Sequence, residues 1–371
     1  MNIHFKPGIS ILKDKQSGLI HFSISVSSLH KIYQLTPEYQ LFIKLLKSDH
    51  DVDSLFKKIK VRYPNFDKNQ FIKNIDLLRK DGILSIKTDL PTDITTQDVQ
   101  RYQRQVQFFS DLAPETIDPW QYQSKLKKSS VLIIGLGGIG SWIAQSLAMI
   151  GVGKLVLCDF DTVSVHNLTR QTMYNMNDIG TYKSEALSKH LKQNNTEIRI
   201  KKIRFKMENE KDLLMLKSEI IQTDLVINCA DFPDINTTSR WVSSLCMKLN
   251  KPHIIGGGYT GHIGLIGPTI IPFQGACWNC FERKYKNDLK DHHFDILLNT
   301  RKSSGAVVFL SSIIANIQAW DGVRVITGIG SPLMLNRKGF LDLDTLKIDW
   351  EIVSKDPNCE VCQTNSYDKN N

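Results

Sequence analysis

Hydrophobic positions change rhythm along the 371-residue chain, and each rhythm predicts a different kind of element. Ile20, Phe22, Ile24 and Val26 alternate with polar residues, the period-two pattern of a strand with one buried face. Thr36-Pro37-Glu38 carries the signals of a helix start: Thr as N-cap, Pro at the first helical position and an acid in the first turn. Leu41, Ile43, Leu45 and Leu46 supply the apolar side of that helix. A second helix is predicted after Asp51 and a third from Asp67 to Lys80. Gly82 then stands where a C-cap belongs, and Ile83–Ile86 resumes as a strand. Beyond about residue 125 the pattern becomes strand, helix, strand: Val131–Ile134, Ile139–Ile150, Leu155–Cys158, and later Leu225–Asn228 leading to Asp231. Such alternation predicts an α/β fold with a mainly parallel sheet and helices on both faces. Between the two patterns, residues 87–99 are polar and contain Pro91. The expected organisation is a small α+β domain over 1–90, a linker over 91–100, a larger α/β domain over 101–365 and a polar tail over 366–371.

Three short helices followed by a strand resemble a winged helix. Such a domain can read DNA, hold a peptide by adding it to a sheet edge, or act as a structural cap. The third helix offers Phe71, Ile72, Ile75, Leu77 and Leu78 and few base-reading side chains, so nucleic acid is not the expected partner. Composition agrees with a soluble globular protein: 41% hydrophobic and 23% charged residues. The formal net charge of +9 favours anionic partners, but it is divided between the first 98 residues (+4) and the remainder (+5), so no basic tail is marked. Met1 is followed by Asn, Ile, His, Phe and Lys with no apolar signal region, which places the expected site of action in the cytoplasm. Ser129–Gly153 has 25 residues without a charge, yet its six glycines suit a strand, a turn and a helix better than a membrane span.

The densest chemistry lies inside that uncharged stretch. Gly135-Leu-Gly137-Gly138-Ile-Gly140 fits G-x-G-x-x-G between a predicted strand and helix, and Asp159 ends the next strand 19 residues after the last glycine. The glycines let backbone N–H groups approach phosphate oxygens at a helix N-terminus, and an acid in the place of Asp159 can hold ribose hydroxyls. By itself the motif does not separate NAD, FAD and ATP. Downstream, Asp161, Asn167, Arg170 and Gln171 follow the ribose acid, and Lys183 lies in the first turn of a new helix. A lysine there opposes the helix dipole and calls for an anionic partner. A triphosphate needs such cations because negative charge builds as pyrophosphate leaves, whereas a nicotinamide site does not.

The string from Gly135 to Lys183, with Arg101-Tyr102-Gln103-Arg104 upstream and paired C-x-x-C motifs downstream, resembles the ubiquitin-activating E1-like superfamily. That superfamily includes the adenylating enzymes of molybdopterin and thiamine sulfur transfer, and the resemblance covers about residues 98–365. It implies a Rossmann-like adenylation domain that uses ATP. Asp159 would bind ribose, Asn167, Arg170, Gln171 and Lys183 would contact phosphates, and Asp231 would bring in Mg²⁺. Arg104 would reach across a homodimer into the partner's ATP site.

Cys277-Trp-Asn-Cys280 and Cys359-Glu-Val-Cys362, with 78 residues between them, supply four thiolates, the set for a closed tetrahedral zinc site. A redox role is the rival reading of each pair taken alone. Cys158 and Cys229 read as core residues at strand ends, and Cys246 as part of a helix. The segment Lys284–Gly305, where relatives that pass on a ubiquitin-like protein carry a thioester cysteine, has none, so acyl-adenylate formation is expected without thioester transfer. Lys284, Lys286, His292, His293, Arg301 and Lys302 in that segment suit either a lid over an acidic substrate or a solvated loop.

An N-terminal winged-helix-like clamp fused to this core resembles the enzymes that modify ribosomal antibiotic precursors, of the microcin C and pantocin types. The first attaches AMP to a peptide C-terminus; the second activates and cyclises glutamate side chains. The leading expectation is therefore ATP-dependent adenylation of a carboxylate on a short precursor peptide. The alternatives are a sulfur-carrier adenylyltransferase, a non-catalytic leader-binding scaffold, and an NAD-linked dehydrogenase. The last leaves Arg170, Lys183 and the cysteine pairs unexplained.

Overall fold

The computed structural model describes residues 1–24, 30–47, 50–86, 89–114, 116–288 and 305–362. The chain separates into two compact units that meet between Ser124 and Lys125.

The first unit runs β1 (Asn2–Phe5), β2 (Ile9–Lys13), β3 (Ile20–Ile24), β4 (His30–Tyr33), α1 (Pro37–Leu45), β5 (His50–Asp51), α2 (Val52–Arg62), α3 (Lys68–Lys80), β6 (Leu84–Ile86) and α4 (Thr96–Leu112). The three expected helices form where their caps place them. Asp51 accepts from Ser54 N at 3.0 Å and Asp67 from Gln70 N at 2.7 Å, which satisfies N–H groups that a helix start leaves without partners. Thr36 opens α1 without a side-chain bond to the backbone, so the proline at the first position carries that start. The strand expected at Ile20 is β3, the centre of an antiparallel β2-β3-β4 sheet; Val26 lies outside the described residues. A second antiparallel sheet, β5-β1-β6, closes the unit. Ile3, Phe22, Phe42, Leu55, Phe71 and Ile83 form a core of their own, packed edge-to-face where Phe42 meets Phe71 at 5.8 Å.

The stretch expected as a linker, 91–100, is helical from Thr96. Asp98 N donates to the Thr95 hydroxyl at 3.2 Å while Thr95 N donates to the Asp98 carboxylate at 2.8 Å, a capping box that starts α4 inside a polar sequence.

Helix α5 (Trp120–Lys128) leads into the second unit. There follow β7 (Ser130–Ile134), α6 (Gly140–Met149), β8 (Lys154–Cys158), α7 (Lys183–Asn194), β9 (Arg199–Ile203), α8 (Lys217–Gln222), β10 (Leu225–Asn228), α9 (Ile235–Lys248) and β11 (His253–Ile255). Then come β12 (Tyr259–Thr260), β13 (Ile263–Ile266), β14 (Thr269–Ile270), α10 (Trp278–Asp288), α11 (Val308–Thr327), β15 (Arg337–Asp342) and β16 (Ile348–Ile352). The main sheet has the order β14-β11-β10-β7-β8-β9 and is parallel except at β14. The strand order reverses beside β7, so the carboxyl ends of β7, β8 and β10 open onto one crevice, where ligands bind in sheets of this class. Ser129–Gly153 is strand, turn and helix, as its glycines predict, and no described helix is long and apolar enough to cross a membrane. A smaller antiparallel sheet, β12-β13-β15-β16, is tied to the rest by α11. Buried Gln318 on that helix accepts from Gly257 N at 2.9 Å, and buried Asp321 accepts from Thr269 Oγ1, Leu333 N and Met334 N.

Candidate nucleotide site and cysteine cluster

All five residues of β7 are buried, so the chain must turn sharply to re-emerge as α6. Gly135 makes that turn with φ +89°, and a Cβ there would lie 2.7 Å from Ala230 N. At Gly140 a Cβ would lie 1.9 Å from the Gly135 carbonyl oxygen. Both positions therefore accept glycine alone. Gly137 and Gly138 lie between them, and their N–H groups have no acceptor among the described residues. Ser141 Oγ ties the turn by donating to Gly137 O at 2.7 Å, and Tyr174 OH by donating to Leu136 O at 2.9 Å.

Asp159 lies at the end of β8 and is 7% exposed. Its carboxylate accepts from Leu136 N at 2.6 Å and from Asp161 N at 2.7 Å, so Asp159 is clamped to the glycine turn by backbone groups. Burial raises its pKa above the ordinary carboxylate value, while the Lys183 charge and the two N–H bonds oppose the rise. Lys183, at the first position of α7, is itself buried and donates to Asp161 Oδ2 at 2.8 Å. The anionic partner that the dipole argument requires is thus supplied within the chain by Asp161.

Asn167 ends a single 3₁₀ turn, Val165–Asn167, and its Oδ1 accepts from Ser164 N at 2.9 Å, a local capping role. Gln171 is 1% exposed, and its Oε1 is buried without a hydrogen-bond partner. Its Nε2 is the atom nearest to a Cβ built on Gly137, at 3.9 Å. Arg170 donates from Nε to Tyr259 OH at 2.9 Å and from Nη1 to His166 O at 3.3 Å, while Trp142 Nε1 donates to the Arg170 carbonyl at 3.1 Å. Tyr259 and Trp142 were not among the expected site residues; the run Gly256-Gly257-Gly258 just before Tyr259 was the available signal.

Asp231 lies just beyond β10, exposed to solvent. The strand end is held against the cradle because Cys229 N donates to Ile134 O at 2.7 Å. Phe160 and Phe232, the residues after the two acids Asp159 and Asp231, meet edge-to-face at 6.2 Å, and Lys206 lies 4.9 Å from the Phe232 ring. The crevice thus joins Gly135–Gly140, Asp159, Asp161, Arg170, Gln171 and Lys183, with Asp231 at its edge. Arg104 is exposed on α4 in the first unit. Burial raises the thiol pKa of Cys158, Cys229 and Cys246; Cys158 and Cys246 are buried core residues as expected, whereas Cys229 is only half-buried at its strand end.

Cys277, Cys280, Cys359 and Cys362 converge, all buried, with their sulfurs within 4.8 Å of one another. Neighbouring sulfurs are 3.5 to 3.8 Å apart. A tetrahedral ion with metal–sulfur bonds of about 2.3 Å sets its sulfurs about 3.8 Å apart, so the cluster fits zinc. Asp356 N donates to Cys280 Sγ at 3.4 Å and Asn279 Nδ2 to Cys359 Sγ at 3.3 Å, bonds that orient thiolate ligands. Lys284, on α10, pairs with Asp288 and Glu351. His292, His293, Arg301 and Lys302 of the expected lid, and the tail 366–371, lie outside the described residues.

Fold and site together define a nucleotide-binding α/β enzyme of the E1-like adenylating class. Residues 102–363 match the model of the ThiF family, and the chain belongs to that family. It is 29% identical over 238 residues to the sulfur carrier protein ThiS adenylyltransferase of Escherichia coli (strain K12), spanning 64% of this chain and 84% of that protein. Among solved structures, E. coli MccB with AMPCPP and SeMet MccA aligns with a TM-score of 0.73 at 24% identity, covering 98% of this chain and 100% of that one. A structure of PaaA aligns with a TM-score of 0.72 at 20% identity, covering 94% and 99%. These likenesses establish the fold over nearly the whole chain. The expected E1-like core and mainly parallel sheet are borne out.

Proposed function

We propose that this enzyme activates a carboxylate of a short, ribosomally made precursor peptide as an acyl-adenylate. A carboxylate oxygen would attack the α-phosphorus of ATP, the bond from that phosphorus to the bridging oxygen would break, and pyrophosphate would leave. Asp159 holds the ribose, Asn167 and Gln171 line the phosphate side, and Arg170 and Lys183 neutralise the charge that grows on the leaving group. Asp231 would hold Mg²⁺, which screens the triphosphate. Arg104 serves the active site of a second copy in a homodimer. Zinc on the four cysteines is structural, since no ligand position remains for chemistry. The first 90 residues grip the leader of the peptide as a clamp.

The observation that carries this reading is the self-cored N-terminal unit on an E1-like core, a layout that aligns along almost its whole length with MccB and PaaA. The ThiS adenylyltransferase alignment covers 64% of the chain. That relative favours a second reading, adenylation of the C-terminus of a sulfur carrier protein. Mass spectrometry of candidate peptides and of a sulfur carrier, each incubated with enzyme and ATP, separates them. A peptide that gains AMP supports C-terminal transfer, one that loses water supports side-chain cyclisation, and turnover of the carrier alone overturns the peptide reading.

A further inference from the structure

We propose that Tyr259 is the positioning residue that presents the Arg170 guanidinium to the ATP phosphates, an inference that rests on the adenylation reading. Arg170 has a long, rotamer-rich side chain, and fixing it before ligand arrives removes an entropic cost from binding. The fixing comes from the phenol. Tyr259 OH accepts from Arg170 Nε at 2.9 Å and lies 3.1 Å from where a Cβ on Gly138 would be, directly against the glycine turn. Nη1 is engaged by His166 O at 3.3 Å, and Nη2 has no partner among the described residues. The guanidinium is therefore tethered on one side beside the N–H groups of Gly137 and Gly138, which also have no acceptor among the described residues.

Tyr259 is in turn held rigidly. It opens β12, paired with Gly264 across the ladder, and follows Gly256 and Gly257, where the neighbours leave no room for a side chain. A Cβ on Gly257 would lie 2.2 Å from Leu265 O, and Gly257 N donates to buried Gln318 at 2.9 Å. Two polar contacts, Gly257 N to Gln318 on α11 and Arg170 Nε to Tyr259 OH, are thus joined by the short backbone from Gly257 to Tyr259. The phenol hydroxyl keeps its own hydrogen after accepting from Arg170, so it adds a donor to the same cradle.

Tyr259→Phe removes the hydroxyl and keeps the ring, so the fold is expected to persist. Titration calorimetry of the full chain with ATP and, separately, with AMP reads the effect. A hydrogen bond to a charged group contributes enough that ATP affinity should fall about tenfold or more. AMP, lacking the outer phosphates, should bind within about twofold of the wild type, a difference that a merely structural role would not produce. Arg170→Ala should lose more, and the double variant should lose no more than Arg170→Ala alone, because the tyrosine acts through the arginine. Unchanged ATP affinity in Tyr259→Phe, equal losses for ATP and AMP, or additive losses in the double variant would each overturn the assignment while leaving adenylation standing. Failure of the wild type to bind ATP would remove both.

Discussion

Around the glycine turn, Lys183 meets Asp161, Arg170 meets Tyr259, and Asp159 takes two backbone N–H bonds. At the cysteine cluster, four buried sulfurs meet chiefly one another. Both are polar inclusions in the second unit, but the charged side chains of the first find partners within the chain, whereas the second asks for a cation. Sulfurs at this spacing cannot all be thiolates without an opposing charge. The cradle is therefore organised before its ligand arrives, while the cluster becomes a cross-link only with metal. It follows that the cradle should govern activity with little effect on stability, and the cluster stability with little direct effect on the nucleotide.

The largest expected effect comes from the cluster. Cys359→Ser, or removal of metal by a strong chelator, should lower the melting temperature by about 10 °C or more, since metal binding at such a site is folding free energy. Below the new transition, calorimetry should show ATP affinity within about twofold of the wild type. Parallel loss of ATP binding at low temperature would break the division of labour. Next comes Asp231→Ala. Asp231 is exposed and supports no neighbour through a hydrogen bond among the described residues, so melting should be unmoved while the adenylation rate falls about 100-fold or more. Undiminished turnover would remove Asp231 from the chemistry.

A third effect tests whether cradle and cluster share a support. His253 on β11 is fully buried; its Nδ1 is 3.0 Å from the Lys251 carbonyl and its Nε2 2.9 Å from Ser243 Oγ. A carbonyl only accepts, so Nδ1 carries the hydrogen, Nε2 accepts from the serine, and the neutral ring satisfies both. Burial lowers the pKa to about 4 from an ordinary value of 6.5. Folding therefore disfavours the protonated ring: this contribution is intact above about pH 6.5 and is lost as pH falls toward 4. The total loss is about 3 kcal/mol at the acid end. Ile255 of the same strand packs into the cluster's apolar surround, and Gly256 leads toward Tyr259. Acid should accordingly weaken cradle and cluster together, and His253→Gln should flatten the slope of stability between pH 6.5 and 4, read by denaturant titration.

The sequence displayed the cradle better than what holds it in place. Glycine spacing, the acid at the end of β8 and the helix caps at Asp51 and Asp67 are local patterns, each written within a few residues or one strand-helix-strand unit. The cysteine pairs were legible at long range because thiol chemistry restricts what two C-x-x-C motifs can do. Tyr259 was not legible: it reaches Arg170 from 89 residues away, and a tyrosine after three glycines has many uses. Strands β1, β4 and β5 run only two to four residues with two apolar positions each or none, so their pairing rather than an alternation of their own fixes them. The Thr95–Asp98 capping box was visible in principle, but the polar stretch around it resembled a linker.

The smallest effect is a displacement of a pH profile rather than a loss. Burial raises the pKa of Asp159, and the Lys183 charge is the largest influence opposing that rise, while Asp161 adds to it. Lys183→Met nearly preserves the buried volume but removes the cation, leaving Asp161 to act on Asp159 uncompensated. The pKa of Asp159 should then rise further. A protonated carboxyl has lost acceptor capacity for ribose hydroxyls, so the acid limb of AMP affinity, normalised to its plateau, should move to higher pH in this variant. Lys183→Arg keeps the charge and should leave the limb in place. A limb that moves equally in both variants would mean that geometry rather than charge sets the titration of Asp159. The cradle's internal ion pair would then be a packing device, with no part in keeping Asp159 ionised.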